Sequence, residues 1–469
     1  MLFRGDFVHF QTLNALQICH DHLLAVDRFG YVSHFADAAE DASHALLSTQ
    51  PAPEVTLLPR GSFMLPSFCD LHLHAPQFLY QGTGLHLPLM QWLDEYAFKA
   101  EEMLDSDPAL AQRVYRSLAD RLIANGTGAV ALFGTIKTDT NILLADIMQQ
   151  AGLRALVGKL SMDISSRPTY TEHTSEAALV AAISFIERMR SITASLLPHE
   201  RLVEPVLTPR FVPTCSDALL RGLGEIAARH NVRIQSHLAE ARDEVDATLL
   251  HRGVSDFEAF DRAGLLTPRT LQAHCTFLTL DEQSRLASRG TAIAHCPLSN
   301  AYFSARPLPL REALDREVRV GLGTDVAGGY SADIMSAMRW AVGVAKLREG
   351  ARSEGLESEA GVGHNTSLRH LDVDWKEAMF LATRGGAEAL GLASGVFVVG
   401  APFDAQHIRL FETCPEPRGI GALDFFDLEG AGSAASRALT PEMVEKWWCI
   451  GDARNRAGMW VQGRRIGSW

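Results

Sequence analysis

Cysteine is scarce in this chain: seven residues in 469, an odd number, with no Cys-x-x-Cys pair. That argues against a disulfide framework and fits a reducing compartment. Positive charge is in deficit too. Lys and Arg total 43 against 56 Asp and Glu, and the net charge of −13 has the wrong sign for a nucleic-acid or anionic-membrane partner. No apolar run approaches a membrane span. Met1-Leu2-Phe3-Arg4-Gly5-Asp6-Phe7 carries charges where a secretory leader needs its apolar stretch, so a cytoplasmic protein is expected. Internal repeats and low-complexity tracts are absent, and no Gly-x-Gly-x-x-Gly follows a strand-like run, which disfavours an open doubly wound sheet. What is there is ordinary for a globular protein, 47% hydrophobic and 21% charged, and long enough for one large domain with a smaller companion.

The most informative stretch is Phe68-Cys69-Asp70-Leu71-His72-Leu73-His74. Read as a strand, strict alternation places Asp70, His72 and His74 on one face and the apolar residues on the other. Two imidazoles at that spacing converge on one point, as a divalent metal requires. A pair of core histidines is the bland alternative, and the remainder of the chain decides between them.

Residues 1–65 alternate short β-type runs with turns, and Asp27-Arg28-Phe29-Gly30 reads as a hairpin connection. Strand and helix patterns then alternate. Eight strand candidates occupy 67–74, 128–133, 155–162, 203–208, 233–238, 271–275, 291–296 and 318–324, with amphipathic helices such as 109–125, 175–195, 216–230 and 308–317 between them. This is the pattern of an α/β protein with a (β/α)8, TIM-like barrel over residues 66–394. Strand-like runs at 395–400, 404–408 and 463–466 suggest that 395–469 joins 1–65 in a small β-sandwich domain, with 430–438 as a loop.

In such a barrel the chemistry sits at the C-terminal strand ends. Those ends carry His72 and His74, then His237, His274, His295 and, after the eighth strand, Asp325. Three histidines and a carboxylate leave a coordination position open on Zn²⁺, which lowers the pKa of bound water to about 7. Glu240, three residues past His237, has the place of a general acid/base; the competing reading is a solvated charge opening the next helix with Asp243 and Glu244. Cys275 and Cys296 read as small core residues.

His72, His74, His237, His274 and Asp325 together resemble the amidohydrolase superfamily. Many of its members hold two metals bridged by a modified lysine on strand four. Strand four here has none, and Lys159 lies on strand three, so the resemblance implies a single Zn²⁺ held by His72, His74, His237 and Asp325, with His274 beside the bound water. Longer stretches are similar to the guanine deaminase family: Asp70-Leu71-His72-Leu73-His74-Ala75-Pro76-Gln77, Thr208-Pro209-Arg210-Phe211, Gln235-Ser236-His237-Leu238-Ala239-Glu240 and Gly323-Thr324-Asp325-Val326-Ala327-Gly328-Gly329. Residues 411–438 depart from that pattern, and 301–309 lacks a glycine the pattern carries.

The resemblance implies zinc-dependent deamination of guanine, with Glu240, Asp325 and His274 catalytic. It also implies Gln77, Arg210, Phe211, Trp92, His74 and His237 facing the purine, and a cytoplasmic homodimer. Arg210 suits O6 and Gln77 the ring edge, whereas Phe211 and Trp92 read equally well as core packing. A related single-metal hydrolase of a triazine or pterin-type ring is the alternative enzyme. A non-catalytic scaffold barrel is the alternative of another class, disfavoured because no ligand is missing.

Overall fold

The computed structural model describes residues 1–49, 54–354, 370–410 and 438–467. Within them the chain opens with β1 (Leu2–Phe10), β2 (Leu16–Val26), β3 (Val32–Asp37), β4 (Val55–Leu57) and β5 (Ser62–Pro66). β1 to β3 form an antiparallel meander, and β1 pairs in parallel with β4 and β5. The hairpin falls where the sequence suggests: the Asp27 carboxylate accepts from the Phe29 and Tyr31 amides at 2.8 and 2.9 Å, and Gly30 supplies a φ of +83°.

The eight barrel strands are β6 (Phe68–His74), β7 (Thr127–Phe133), β8 (Arg154–Ser161), β9 (Val203–Pro209), β10 (Arg233–Leu238), β11 (Thr270–His274), β12 (Ala292–His295) and β13 (Val320–Leu322). They are parallel and neighbour one another in chain order, each overlapping one of the runs read from the sequence. With helices outside and side chains filling the inside, strands such as β7 are buried throughout and read as nearly continuous apolar runs. The helices begin where caps allow. Asp107 accepts from the Leu110 amide to open Pro108–Ala124, and Ser216 from Leu219 to open Asp217–His230.

Strict alternation along β6 does not hold. A bulge between Asp70 and Leu73 shifts its register against β7. Cys69 and Leu71 join a cluster with Ala129, Ala131, Ala273 and Ala294, while Leu73 packs with Val130 and Leu132. His72 and His74 still converge, but Asp70 turns to β13, where its carboxylate accepts from the Thr324 amide and hydroxyl at 3.0 and 2.6 Å. The barrel closes just past the strand ends: the Asp325 amide donates to the His72 carbonyl at 2.8 Å and the His74 amide to Val326 at 2.9 Å.

The chain then returns to the first sheet through β14 (Ala405–Arg409), β15 (Arg456–Val461) and β16 (Arg464–Ile466). β14 pairs antiparallel with β5, so both chain ends build one mixed sheet in the order β16-β15-β14-β5-β1-β2-β3. Phe3 stacks on Phe403 and meets Trp460 edge-on, both at 5.3 Å. The expected strand at 395–400 does not form. Gly395 and Gly400 take φ of +85° and +91°, and the segment contributes Val396 and Phe397 to the core instead of a ladder. The expected loop at 430–438 lies almost wholly outside the described residues.

Two histidines buried in this sheet make its stability pH-dependent. His9 accepts the Phe397 amide on Nδ1 at 3.1 Å, and burial lowers its pKa to about 4, as it does for His407. Both stay neutral when folded but take a proton from the ordinary 6.5 downward once unfolded, so stability falls as pH drops from 6.5 towards 4. Going from pH 7 to 5 should cost about 1–2 kcal/mol for each. His9→Gln should lose less stability over that interval than the parent, as read from urea midpoints at the two pH values.

Candidate active site

The C-terminal mouth of the barrel gathers the polar residues. His72 and His74 end β6, Arg210 follows β9, His237 and Glu240 close β10, His274 ends β11, His295 ends β12 and Asp325 follows β13. One nitrogen from each of His72, His74 and His237 lies within a cluster 4.8 Å across. The His74 and His237 Nε2 atoms face each other at 3.0 Å, and Asp325 Oδ1 is 3.1 Å from His72 Nε2 and 3.6 Å from His74 Nε2.

Hydrogen bonding fixes which nitrogen is free. His237 Nδ1 donates to the Arg210 carbonyl at 2.6 Å, which leaves its Nε2 with a lone pair directed at His74. His72 Nε2 is buried without a hydrogen-bond partner. Burial holds His74 and His237 well below the ordinary imidazole pKa, in the neutral form a ligand needs. Converging nitrogens from three imidazoles with one carboxylate beside them fit a divalent metal and little else.

Glu240 is 4% exposed, so it is not a solvated charge at a helix start. Its amide and that of Ala241 donate to the Glu244 carboxylate at 2.7 and 3.3 Å, and its carbonyl accepts from the Ser304 hydroxyl. Its Oε2 is 3.4 Å from His274 Nε2, which is 3.8 Å from Asp325 Oδ2. His274 Nδ1 donates to Asn300 Oδ1 at 3.0 Å, leaving Nε2 as the acceptor between the two carboxylates. Those carboxylates are driven apart in pKa. Burial, then Asp325, pushes Glu240 well above the usual range; burial opposes charge on Asp325 as well, but His72, His274 and the Ser299 hydroxyl together outweigh it and hold Asp325 low. Ala239, His274 and Asp325 all take left-handed φ, between +49° and +66°, a strained backbone of the kind that clusters at functional sites.

Facing this group is a pocket lined by His74, Gln77, Trp92, Arg210, Phe211, His237, Glu240 and Asp325, with Leu89, Leu93, Phe303 and Gly328 completing the wall. The structure thus brings every sequence-derived site residue to one place, with His72 and His274 just behind the lining. Trp92 and Phe211 are core and pocket wall at once: both are 3% exposed, and Trp92 packs against Phe303 at 5.1 Å. His295 is buried beside the group but not on the wall, and Lys159 is spent on Glu172 at 2.7 Å. Sequence reasoning missed Glu101, which grips Arg210 and Gln77, and Glu244. Both read as ordinary helix acids, and nothing in their spacing marks them.

Residues 63–463 match the amidohydrolase family. The chain belongs to that family. A guanine deaminase from Mus musculus is 34% identical over 99% of this chain and 96% of its own length. The crystal structure of guanine deaminase from C. acetobutylicum with bound guanine in the active site superposes on this amidohydrolase with a TM-score of 0.82 at 27% identity, covering 99% of both chains. Atrazine chlorohydrolase from Arthrobacter aurescens TC1 complexed with zinc, at 18% identity and a TM-score of 0.79 over 99% and 94% of the two chains, shares the fold.

Glu244→Ala should leave two buried amides unpaired at the Glu240 loop. A loss of about 1–3 kcal/mol in unfolding free energy is expected, together with reduced turnover. Glu244→Gln keeps an acceptor and should retain most of both; urea titration and rate assays on the two variants make the comparison.

Proposed function

We propose that this amidohydrolase hydrolyses guanine to xanthine and ammonia. One observation carries the reading: a single pocket is lined by Gln77 and Arg210 together with Glu240, Asp325, His74 and His237. Similarity along the full length to guanine deaminases supports it. In this reading His72, His74, His237 and Asp325 hold one Zn²⁺, which supplies Lewis acidity that brings the pKa of a water molecule to about 7. Asp325, kept ionised, takes the proton of the attacking water. Glu240, kept protonated, delivers its proton to the ring nitrogen beside the reacting carbon. It takes up the proton of the hydroxyl group now on that carbon as the carbonyl forms, and passes it to the amine, which departs as ammonia. The proton on Asp325 then restores Glu240 for the next turnover. His274 orients the pair through the acceptor it holds between them.

Arg210 donates to O6, and Phe211 with Trp92 flanks the ring. The Gln77 carbonyl accepts from the Ala327 amide at 3.2 Å, so its second N–H is what remains for the purine. Residues 66–394 carry the chemistry, braced by 1–65 and 395–469. A cytoplasmic homodimer completes the reading, by resemblance to the guanine deaminase family; among the described residues no helix is long and apolar enough to cross a membrane.

Purified protein should contain about one zinc per chain by elemental analysis and release ammonia from guanine. Glu240→Gln should keep that metal while turnover falls at least ~10²-fold, because an amide cannot carry the proton. Two tightly held metals, or a Glu240→Gln enzyme of near-normal rate, would break the assignment.

Specificity gives a second check. Adenine offers an amino group where guanine offers O6, setting donor against donor at Arg210, and sites built for one polar partner discriminate by about 10⁴-fold or more. Guanine should be deaminated and adenine essentially ignored, and Arg210→Met should lose most guanine activity with its metal intact. Side-by-side rate assays on the two bases decide it.

A further inference from the structure

The Arg210 side of the pocket is organised by one carboxylate. Glu101 lies on the helix Phe98–Ser106 and is fully buried. Its Oε2 accepts from Arg210 Nη1 at 2.6 Å, and its Oε1 accepts from both Arg210 Nη2 at 3.1 Å and Gln77 Nε2 at 2.9 Å. The Phe98 ring, one turn earlier on the same helix, lies 4.8 Å from the Arg210 guanidinium. Gln77 is therefore held at both ends, its nitrogen by Glu101 and its oxygen by the Ala327 amide.

We propose that Glu101 is the positioning residue that sets the specificity of this pocket: it fixes the Arg210 fork and the Gln77 amide in one orientation and cancels the Arg210 charge, so the site takes a neutral ring bearing acceptors and releases an anionic one. This rests on the deaminase reading and deepens it. Among the described residues Arg210 is the only Arg or Lys on the pocket wall, and it is 1% exposed, so its charge would dominate this side of the site if unpaired. With Glu101 in place it offers donors without net charge. That matters for the product. Xanthine carries one more ring carbonyl than guanine and gives up a ring proton more readily, so it becomes an anion as pH rises. A pocket with a free guanidinium would retain that anion; the paired one has no reason to.

A carboxylate is needed because both oxygens must accept. An amide at position 101 has one acceptor: with its oxygen in the Oε1 place it keeps Gln77 and Arg210 Nη2 but sets its NH₂ against Arg210 Nη1, and turned over it keeps Nη1 but sets the NH₂ against Arg210 Nη2 and Gln77 Nε2. Glu101→Gln thus disturbs the Arg210 fork in either orientation and frees the charge, whereas Glu101→Asp keeps the charge and shortens the reach.

The experiment uses the full-length, metal-loaded protein, with guanine kinetics and calorimetric binding of xanthine at pH 6.5 and pH 9. For Glu101→Gln the guanine KM should rise about tenfold or more, with a smaller change in kcat, since recognition groups bind ground and transition states alike. Its xanthine affinity should increase about tenfold between the two pH values, where the parent shows no increase. Glu101→Asp should raise the guanine KM yet keep the parent's xanthine profile. A Glu101→Gln protein with the parent's KM, or with the parent's xanthine profile, overturns the proposal. If that variant does not fold, Glu101→Asp still decides: an unchanged guanine KM, or xanthine binding that tightens at pH 9, overturns it. Failure of the deaminase reading would show separately, as a parent enzyme that releases no ammonia from guanine.

Discussion

The seam between β6 and β13 is the contact on which the site depends. Asp70 is fully buried, and burial lifts its pKa to about 6, yet it is surrounded by donors from the Thr324 amide, the Thr324 hydroxyl and the His72 amide. Hydrogen bonds to a charged group are worth about 1.5–3 kcal/mol each and offset much of that burial. By tying the first barrel strand to the last, they bring Asp325 against His72 and His74, residues separated by most of the barrel in sequence. The bulge in β6 is part of the same device, because it lets one strand face the seam with Asp70 and the mouth with two imidazoles.

Electrostatically the mouth divides into two halves that are balanced differently. On the histidine side the protein gathers imidazoles and carboxylates with, among the described residues, no Lys or Arg to match them, a charge pattern suited to a cation. On the Arg210 side the cation is matched inside the protein by Glu101. In the proposed reading, a neutral heterocycle bridging the two would meet strong polarisation at the carbon to be attacked and only directed donors at its far edge. Ala239 and Asp325 hold their strained turns because each backbone is engaged nearby: the Phe277 amide donates to Ala239 at 3.0 Å, and the Gly329 amide to Asp325 at 2.5 Å.

Much of this was legible in the sequence, for a physical reason. In a parallel barrel the strand ends are equivalent positions, so polar residues closing apolar runs point to one mouth; His237, His274 and Asp325 can be placed together without knowing any helix. Glu101 escapes such reasoning because it sits in Lys99-Ala100-Glu101-Glu102, where an exposed helix face and a buried ion pair look alike. Only three-dimensional packing distinguishes it from Glu102, which pairs with Arg167 nearer the surface. The missing strand at 395–400 has a similar origin: alternation of apolar residues signals burial, and burial was real, but two left-handed glycines took the backbone out of the ladder. Asp70 was grouped with the histidines because a bulge leaves no mark in a periodic count.

The mixed sheet has a consequence in time. β5 is flanked by β1 on one side and β14 on the other, and β14 is made only after the whole barrel. At about 5–20 residues per second, tens of seconds of synthesis separate the two. Throughout that interval the edge of β5 that β14 will cover stays open, with Phe63 and Leu65 awaiting the helices they pack against. The nascent chain is therefore most vulnerable to wrong pairing at its beginning, and the last strands to leave the ribosome are the ones that end the exposure.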